Sequence, residues 1–499
     1  MESNINWLDL PDNIWESILN NLEDKDLLKA SETCKKFNNL LSSSQQLIKK
    51  LCLQINNPYG YEHFTNETDR KELYKKSICE LKFMKKCLLM SERKYESIII
   101  DDLGFNILES HAGKKKNKEK QITNVLTDIF KYLARSVKEI KFSNVAELQN
   151  DEFCKIIQIM KNLTVLKFYG SGFGKEDPNV GTEIVRPDIV PSIHKIYIEN
   201  VDGFSFKKLY LFDAITTLDV SRISWLDYES FENFLLMQKH LKVLHLNGMY
   251  HCGLFKTDIL TTNIKFSLEE LTLSKVYWTN SENAMKFFKT QINLKKLTLI
   301  VDCSKQIQLD ELLILFFGNN LQLKTVKLCT QGYIIKNLSF LEGIVNPSVD
   351  NLELYLDWLQ NGTEFIATFA KLFPNVKNFS YGQHNNINHG FDQIYNWKSL
   401  ESLDCNVGFN DQIFENVYFG EKFTTCKIFY YYENCFRKPC LMEFLIRHQN
   451  IKYLSLNSQS VYHNLVIPDD MLSLIVNTLK SLETLIWNEK NCSLLKYLK

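Results

Sequence analysis

The sequence LKVLHL at residues 241–246 is followed by LEELTL at 268–273 and by LKKLTL at 294–299. All three have leucine in the first, fourth and sixth positions, with mostly polar residues between them. Side chains two residues apart on a β-strand point to the same face, so the fourth and sixth positions predict the buried face of a short strand. The third, fifth and seventh positions are then expected on the opposite face of that strand.

The same pattern, with other apolar residues in the key positions, recurs through most of the chain. The three motifs above start 27 and 26 residues apart, and this period resembles that of leucine-rich repeats, roughly 20–29 residues. Tyr95–Ile100 is interpreted as an earlier copy. The further copies are Val137–Phe142, Leu163–Phe168, Ile193–Ile198, Ile215–Val220, Leu323–Leu328, Val349–Leu354, Val376–Tyr381, Leu400–Cys405, Cys426–Tyr431, Ile451–Leu456 and Leu482–Trp487.

The stretches between the motifs carry apolar stripes at helical spacing, for example in Tyr228–Lys239, Asp310–Gly318 and Thr363–Phe373. One strand and one helix cannot bury their apolar faces alone, whereas a stack of about fourteen such units buries one continuous core. The predicted fold is therefore an α/β curved solenoid with parallel strands on its concave face and helices on its convex face. Asparagines typical of the repeat turns are present only in part, at Asn247, Asn406, Asn457 and Asn488.

A different pattern fills residues 10–41, LPDNIWESILNNLEDKDLLKASETCKKFNNLL. Pro11 is suited to the first turn of a helix, and the aliphatic residues after it follow helical spacing. Asp24 can cap a second short helix, and a third is expected to begin near Thr33. Three short amphipathic helices cannot bury all this apolar surface among themselves, so we expect them to need a partner.

This N-terminal stretch resembles an F-box, with Asn13 and Phe37 as mild departures from the family pattern. The resemblance implies docking onto the Skp adaptor of a cullin–RING ubiquitin ligase. It implies that most of the contact with the adaptor is supplied by Leu10, Pro11, Ile14, Ile18, Leu22, Leu27, Leu28, Cys34 and Phe37. The expected domains are an adaptor-binding domain at 1–50, a packed helical connector at 51–94 and the solenoid at 95–499.

Composition argues against several other classes of protein. The 59 basic residues are balanced by 59 acidic ones, so net charge gives no reason to expect a nucleic-acid partner. The 13 cysteines form no Cys-x-x-Cys pair, and phosphate-binding and hydrolase motifs are absent from the sequence. We therefore expect no metal, no cofactor and no catalytic activity.

The sequence also bears on location in the cell. It shows neither a secretory signal nor a run of eighteen apolar residues, which predicts a cytoplasmic or nuclear protein without membrane attachment. The lysine-rich run at 113–121 is interpreted as a solvated loop, with nuclear localisation or phosphate contact as alternatives.

The combined pattern predicts the substrate-recognition subunit of a Skp–cullin–F-box (SCF) type ubiquitin ligase, whose repeats capture an unknown protein substrate for degradation. The alternative is a leucine-rich-repeat scaffold that acts outside the ligase. Tyrosines are frequent among binding hot spots, so substrate binding is placed on the late repeats, at Tyr355, Asp404, Tyr430, Tyr432 and Tyr453. Two alternatives stay open: these rings only cover the strands, or a basic stretch with Lys167, Lys195 and Tyr197 binds an acidic or phosphorylated segment.

Overall fold

The structure is a computed structural model of the full chain, and it divides into two compact units. The first comprises Met1–Leu241, Gly248–Gly253 and Thr262–Phe266, and the second Lys242–Asn247, Leu254–Thr261 and Ser267–Lys499. The residues described are 10–56, 67–91, 93–101, 116–144, 150–170, 191–201, 204–223, 227–249, 255, 260, 264–276, 280–302, 309–335, 338–359, 362–382, 394, 396–406, 417–430, 439–458, 469–487 and 490–491.

The first unit begins with four short helices, α1 to α4. Pro11 precedes α1 and is compatible with its first turn. The Sγ atom of Cys34 accepts a hydrogen bond from the N–H of Phe37 (3.5 Å), and Ser44 caps α4 in the same way by accepting from the N–H of Leu47 (3.4 Å). The helices are α1 (Asp12–Leu19), α2 (Asp24–Thr33), α3 (Lys35–Ser43) and α4 (Gln45–Lys50).

Strands and helices then alternate through the rest of the first unit. The strands β1 to β6 pair in sequence order, and every pairing among them is parallel. The elements are β1 (Cys52–Asn56), α5 (Glu67–Met90), β2 (Ser97–Asp101), α6 (Lys116–Leu133), β3 (Glu139–Ser143), α7 (Asn150–Ile159), β4 (Val165–Tyr169), β5 (Lys195–Glu199), a 3-10 turn (Phe206–Leu209), β6 (Thr217–Ser221) and α8 (Tyr228–Met237).

The second unit continues the same alternation. Its strands β7 to β16 are parallel, and the short β17 is antiparallel to β16. The elements are β7 (Val243–Asn247), β8 (Glu270–Ser274), α9 (Ser281–Lys289), β9 (Lys296–Asp302), α10 (Leu309–Asn319), β10 (Thr325–Ile335), a 3-10 turn (Ser339–Leu341), β11 (Asn351–Leu359), α11 (Gly362–Leu372), β12 (Asn378–Gly382), β13 (Ser402–Asn406), β14 (Thr425–Tyr430), α12 (Pro439–Arg447), β15 (Tyr453–Ser458), α13 (Asp469–Thr478), β16 (Thr484–Trp487) and β17 (Lys490–Asn491).

The core of each unit lies between its strands and its helices. In the first unit, the ring of Phe142 on β3 packs against the rings of Phe168 on β4 and Phe153 on α7, with centroid distances of 5.5 and 6.0 Å. In β7, Leu244 and Leu246 are buried while the residues between and beside them are partly exposed. The prediction of parallel strand–helix repeats after an N-terminal helical region is confirmed. We call the strand face opposite the helices the open face.

Two local predictions were wrong. Ser44 starts a new helix that ends at Lys50, and Cys52–Asn56 forms β1, which pairs with β2. The segment 51–94 is therefore not helical throughout. The lysine-rich run is also not a loop over its whole length, since Lys116–Leu133 is helical. Residues 113–115 lie outside the described part of the chain.

The repeat near residue 426 was placed three positions too late in the sequence pattern. Cys426 and Ile428 pair with the buried Leu454 and Leu456 of β15, so Cys426 occupies the fourth position of its repeat and not the first. The first position is filled by Phe423, which is fully buried. Lys427 therefore holds the central position of the open face in this strand.

A row of buried polar side chains joins successive repeats. These residues stand three positions before the first apolar residue of a motif, and all are at most 2% exposed. Asn320 is typical: its Oδ1 accepts from the N–H of Leu294 in the preceding repeat (3.0 Å), and its Nδ2 donates to the carbonyl of Phe316 (3.2 Å). The row comprises Gln238, Gln291, Asn320, Asn346, Trp397 and His448.

Candidate adaptor and substrate surfaces

The first helix, α1, divides its side chains between the helical core and solvent. Ile14 and Ile18, one turn apart, are each 43% exposed, and Pro11 before them is exposed as well. On the other side, Leu19 is buried, and Trp15 packs edge-on against Phe37 with ring centroids 4.6 Å apart. We call Pro11, Ile14 and Ile18 the apolar ridge.

The other predicted adaptor residues are less accessible. Leu10, Leu22, Leu28, Cys34 and Phe37 are half-buried, and Leu22, Leu28 and Phe37 pack on the core of the helical region. Leu27 is fully buried in that core together with Leu19, Leu40, Leu41, Leu47 and Leu51. It can support a docking surface but is not itself part of the outer surface.

Polar contacts fix the start of α1. The Nζ atom of Lys36 donates to the carbonyl of Leu10 (2.7 Å) and lies 3.3 Å from the carboxylate of Asp12. The ammonium of Lys50 donates to the carbonyls of Asn20 and Leu22 beyond the other end of the helix. Both ends of α1 are therefore tied to later helices, which holds the apolar ridge in place.

The helical region is also tied to the segment that precedes β2. Arg93 donates to the Oγ of Ser31 (2.7 Å) and to the Oδ1 of Asn38 (2.9 Å). Helix α5 buries Ile78, Leu81 and Leu88, and its Lys85 pairs with Asp128 of α6 at 2.5 Å. The described part of this segment is packed against its surroundings.

The open face of β10, β11 and β12 gathers one predicted substrate residue with charged neighbours. Lys327 forms an ion pair with Glu353 on β11 (2.9 Å). Its Nζ atom also lies 4.9 Å from the centre of the Tyr355 ring, a cation–π geometry. Burial lowers the pKa of Lys327, but the hydrogen bond to Glu353 together with the charges of its neighbours, Glu353 foremost, raises the pKa overall. The side chains of this group are held together by charge.

A second charged group lies two strands further along the open face. Asp404 on β13 is 3.7 Å from Lys427 on β14, and the Lys427 ammonium lies 5.7 Å from the centre of the Tyr453 ring on β15. The register aligns Glu353, Ser380, Asp404 and Lys427 in one row, so Ser380 separates the two carboxylates. Burial raises the pKa of Asp404, and nearby Lys427 offsets this only in part.

The structure thus brings three of the five predicted substrate residues onto one face of the second unit. Tyr355 and Tyr453 lie four strands apart, about 19 Å at the usual strand spacing, so they bound a surface and do not touch. The side chain of Tyr430 and the whole of Tyr432 lie outside the described residues. Lys327 and Lys427, which complete the two charged groups, were not among the predicted sites.

The open face of the first unit has related pairs. The Lys141 ammonium lies 4.7 Å from the centre of the Tyr169 ring, and that of Lys167 lies 5.6 Å from the Tyr197 ring. Lys167 also pairs with Glu139 at 2.7 Å. The lysine–tyrosine contact is therefore a recurring feature of the open face and does not by itself distinguish a substrate site.

Within the described ranges, no three His, Cys, Asp or Glu side chains are grouped as a metal site requires. None of the described helices combines the length and apolar content that crossing a bilayer requires.

Comparison with known proteins supports the assignment of the N-terminal helices. Residues 7–49 match the F-box domain family. No curated protein is similar enough to this chain to count as a match.

Among solved structures, the chain is similar to TLR13 in its complex with ssRNA13, with 14% identity and a TM-score of 0.43 over 78% of this chain and 54% of TLR13. It is similar to an internalin of Listeria monocytogenes, with 12% identity and a TM-score of 0.35 over 71% and 88%. It is also similar to a chain of the Drosophila Toll–Spatzle complex, with 13% identity and a TM-score of 0.44 over 87% and 49%. The chain spans about half the length of TLR13 (54%), and we draw no functional conclusion from these three likenesses.

Proposed function

We propose that this chain, which carries an F-box domain at residues 7–49, is the substrate-recognition subunit of an SCF-type ubiquitin ligase. An F-box implies in general an adaptor role in such complexes. In our proposal the F-box binds the Skp adaptor and through it the cullin–RING ligase, while the repeats hold a protein substrate. Holding a substrate beside the ubiquitin-charged enzyme raises its effective concentration there, so the chain itself needs no catalytic residue.

The observation that carries the proposal is the exposed apolar ridge on α1. Pro11, Ile14 and Ile18 lie side by side, with both isoleucines 43% exposed, and a contiguous apolar surface of this kind marks an interaction site. A protein interface of ordinary size buries roughly 1,600 Å² in total, and a few central side chains carry most of its energy. We assign that role to Pro11, Ile14 and Ile18, with Leu10, Leu22, Leu28, Cys34 and Phe37 at their edge and Leu27 as internal support.

The test substitutes the two isoleucines of the apolar ridge and leaves the buried core residues unchanged. Ile14→Ser with Ile18→Ser is expected to weaken capture of the Skp adaptor by about tenfold or more. The matched control is Ile314→Ser with Ile446→Ser, because these isoleucines are also exposed (40% and 51%) but lie on α10 and α12. Equal adaptor capture by the ridge variant and the control would refute the assignment.

A second measurement separates a ligase subunit from a scaffold that acts outside the ligase. Wild-type chain should co-purify with cullin, and the ridge variant should not. Proteins captured by the repeats should then accumulate in cells that express only the ridge variant. Capture without accumulation would favour the scaffold.

We place the substrate on the open face of the second unit, between Tyr355 and Tyr453. The supporting features are the two tyrosines, which offer large contact area with a polar tip, and the charged side chains of Glu353, Asp404 and Lys427 in the row between them. Tyr355→Ala with Tyr453→Ala should reduce substrate capture from lysate and leave adaptor capture unchanged. Tyr169→Ala with Tyr197→Ala is the matched control on the first unit; a loss with this variant alone would place the substrate there.

A further inference from the structure

One row of loop residues changes from apolar to polar in the middle of the second unit. The row consists of the residue four positions before the first residue of each strand. In front of β13, β14, β15 and β16 it is exposed and polar, with Lys398, Glu421, Gln449 and Lys480. In front of β9, β10, β11 and β12 it is exposed and apolar, with Ile292, Leu321, Pro347 and Pro374. We call these last four residues the apolar row.

The exposure of the apolar row is large. Ile292 is 54% exposed and Leu321 is 68% exposed, and Val345 beside the row is 56% exposed. Exposed apolar residues are ordinary when they are scattered, but a contiguous set marks a site of interaction. The later repeats show that a lysine is tolerated at this position, so the fold does not require apolar residues here.

Hydrogen bonds between the loops hold the row in a fixed arrangement. Asn320, next to Leu321, accepts from the N–H of Leu294 (3.0 Å), and its carbonyl accepts from the side chain of Asn346 (2.9 Å). The side chain of Asn375, next to Pro374, donates to the carbonyl of Pro347 (2.9 Å). Each loop is thus bonded to the next, and little ordering is needed when a ligand binds.

The spacing of the row suits a helix. Successive parallel strands lie about 4.8 Å apart, and an α-helix rises about 5.4 Å per turn. A helix laid along the row therefore presents one apolar side chain to each repeat. An extended chain places a side chain on the same face every ~6.6 Å. Successive side chains would therefore not stay aligned with repeats that lie about 4.8 Å apart.

The charges beside the row indicate which residues should border the apolar stripe of that helix. Lysines predominate within five residues of Ile292, Leu321 and Pro374, although three of them also form ion pairs. These pairs are Lys295–Glu269 (2.7 Å), Lys296–Glu270 (2.6 Å) and Lys377–Glu401 (3.8 Å). The segment beside Pro347 instead carries Glu342 and Asp350. The exposed lysines are Lys289, Lys295, Lys296, Lys324, Lys371 and Lys377.

We infer that the apolar row is a docking surface for an amphipathic helix of a protein partner, with an apolar stripe flanked by aspartate and glutamate. A second copy of this chain is a poor occupant, because its lysines would oppose these lysines in a two-fold arrangement. Four side chains also fall short of the roughly 800 Å² per partner in a stable dimer. The surface is separate from the apolar ridge and goes beyond the proposed ligase role.

The test uses a synthetic helical peptide of about 14 residues with leucine at i, i+4, i+7 and i+11 and glutamate on both sides of the leucines. Its binding to the full chain is measured by fluorescence anisotropy. Ile292→Lys with Leu321→Lys, which introduces the residue type found at Lys398 and Lys480, should weaken binding by about tenfold or more. Leu474→Lys, at a leucine of α13 that is 49% exposed, should leave it unchanged, as should the Ile14→Ser, Ile18→Ser variant.

A second peptide with lysine in place of glutamate should bind more weakly, and the difference should shrink as salt is added. Equal binding of the first peptide to wild type and to the Ile292→Lys, Leu321→Lys variant overturns the inference, as does equal binding of both peptides at low salt. Self-association of the wild type that the variant abolishes would instead assign the row to a second copy of the chain.

Discussion

The ring of Tyr355 lies directly over Gly382, its neighbour on the next strand of the open face. A Cβ atom at position 382 would stand 2.5 Å from Cδ1 and 3.0 Å from Cε1 of that ring. The ring occupies the space that a side chain at 382 would fill, and from there it meets the ammonium of Lys327. The orientation of Tyr355 therefore depends on the absence of a side chain at Gly382.

Gly382→Ala is expected to displace the Tyr355 ring. The new methyl group overlaps the ring, and overpacking of this kind costs about 1–3 kcal/mol unless the ring swings away. If Tyr355 contacts substrate, capture should fall as it does in Tyr355→Ala. Urea unfolding and substrate capture are measured together.

Gly318→Ala in α10 is the control for Gly382→Ala. A Cβ atom there would meet nothing closer than Ile344 at 4.0 Å, and alanine favours a helix. This variant should be at least as stable as the wild type. Unchanged stability and unchanged capture in Gly382→Ala would show that Tyr355 is not held by the glycine.

The buried row of polar side chains supplies a second prediction. Asn320→Ala leaves the N–H of Leu294 without its partner, whereas the carbonyl of Phe316 keeps the backbone N–H of residue 320 (3.3 Å). Each unpaired buried group costs about 1–3 kcal/mol, so the unfolding midpoint in urea should drop clearly. Asn319→Ala, at the exposed neighbouring position, should change stability by less than about 0.5 kcal/mol. Similar losses in both variants would contradict a special role for Asn320.

The strands were predictable because their apolar residues alternate with a period of two and recur at a regular spacing. The burial of Leu244 and Leu246 follows from that alternation alone. The buried polar row was not predicted, because a single polar residue after a helix looks like an ordinary surface residue. Its signal is positional: in six of the repeats it stands three residues before the motif, and comparison of the repeats with one another would have revealed it.

Other errors arose where two patterns compete. Near residue 426, both Phe423 and Cys426 can open a motif, and only pairing with β15 decides between them. At Cys52–Asn56 the apolar run is too short to distinguish a strand from the end of a helix. At the candidate substrate surface, Tyr355 and Asp404 followed from alternation, whereas their lysine neighbours, Lys327 and Lys427, depend on contacts between strands that sequence does not give.

The helical region at the N-terminus allows a core position to be compared with a surface position. Leu27 is completely buried and Ile18 is 43% exposed. Leu27→Ala should cost about 2–5 kcal/mol, because it removes a buried side chain and leaves a cavity. Ile18→Ala should leave stability within about 0.5 kcal/mol of wild type and still weaken adaptor binding.

Circular dichroism during urea titration measures the stability of the two variants, and a pull-down measures binding of the Skp adaptor. The two variants should then differ: Leu27→Ala should lose folding stability, and Ile18→Ala should lose adaptor binding. Normal adaptor binding by Ile18→Ala would show that the exposed side of α1 is not the docking surface.

The last prediction concerns pH and rests on His448, which is 2% exposed among aromatic rings. Its Nδ1–H donates to the carbonyl of Phe444 (2.8 Å), and its Nε2 accepts from the N–H of Phe419 (3.0 Å). Both bonds together require the neutral ring. Burial lowers the pKa of His448 from 6.5 to about 4, and the charge of Arg447 acts in the same direction.

Because the folded pKa lies below the unfolded one, the unfolded chain binds more protons between these values. The contribution of neutral His448 to the free energy of unfolding is fully present above about pH 6.5. It declines as pH falls toward about 4 and does not decline further below that. The loss is at most roughly 3 kcal/mol. His448→Gln should flatten the decline, because glutamine fills the same row at Gln238 and Gln291 without titrating. Urea unfolding from pH 4 to 7 measures this, with His240→Gln at an exposed position as control; an equally steep decline in His448→Gln would assign the pH dependence to other groups.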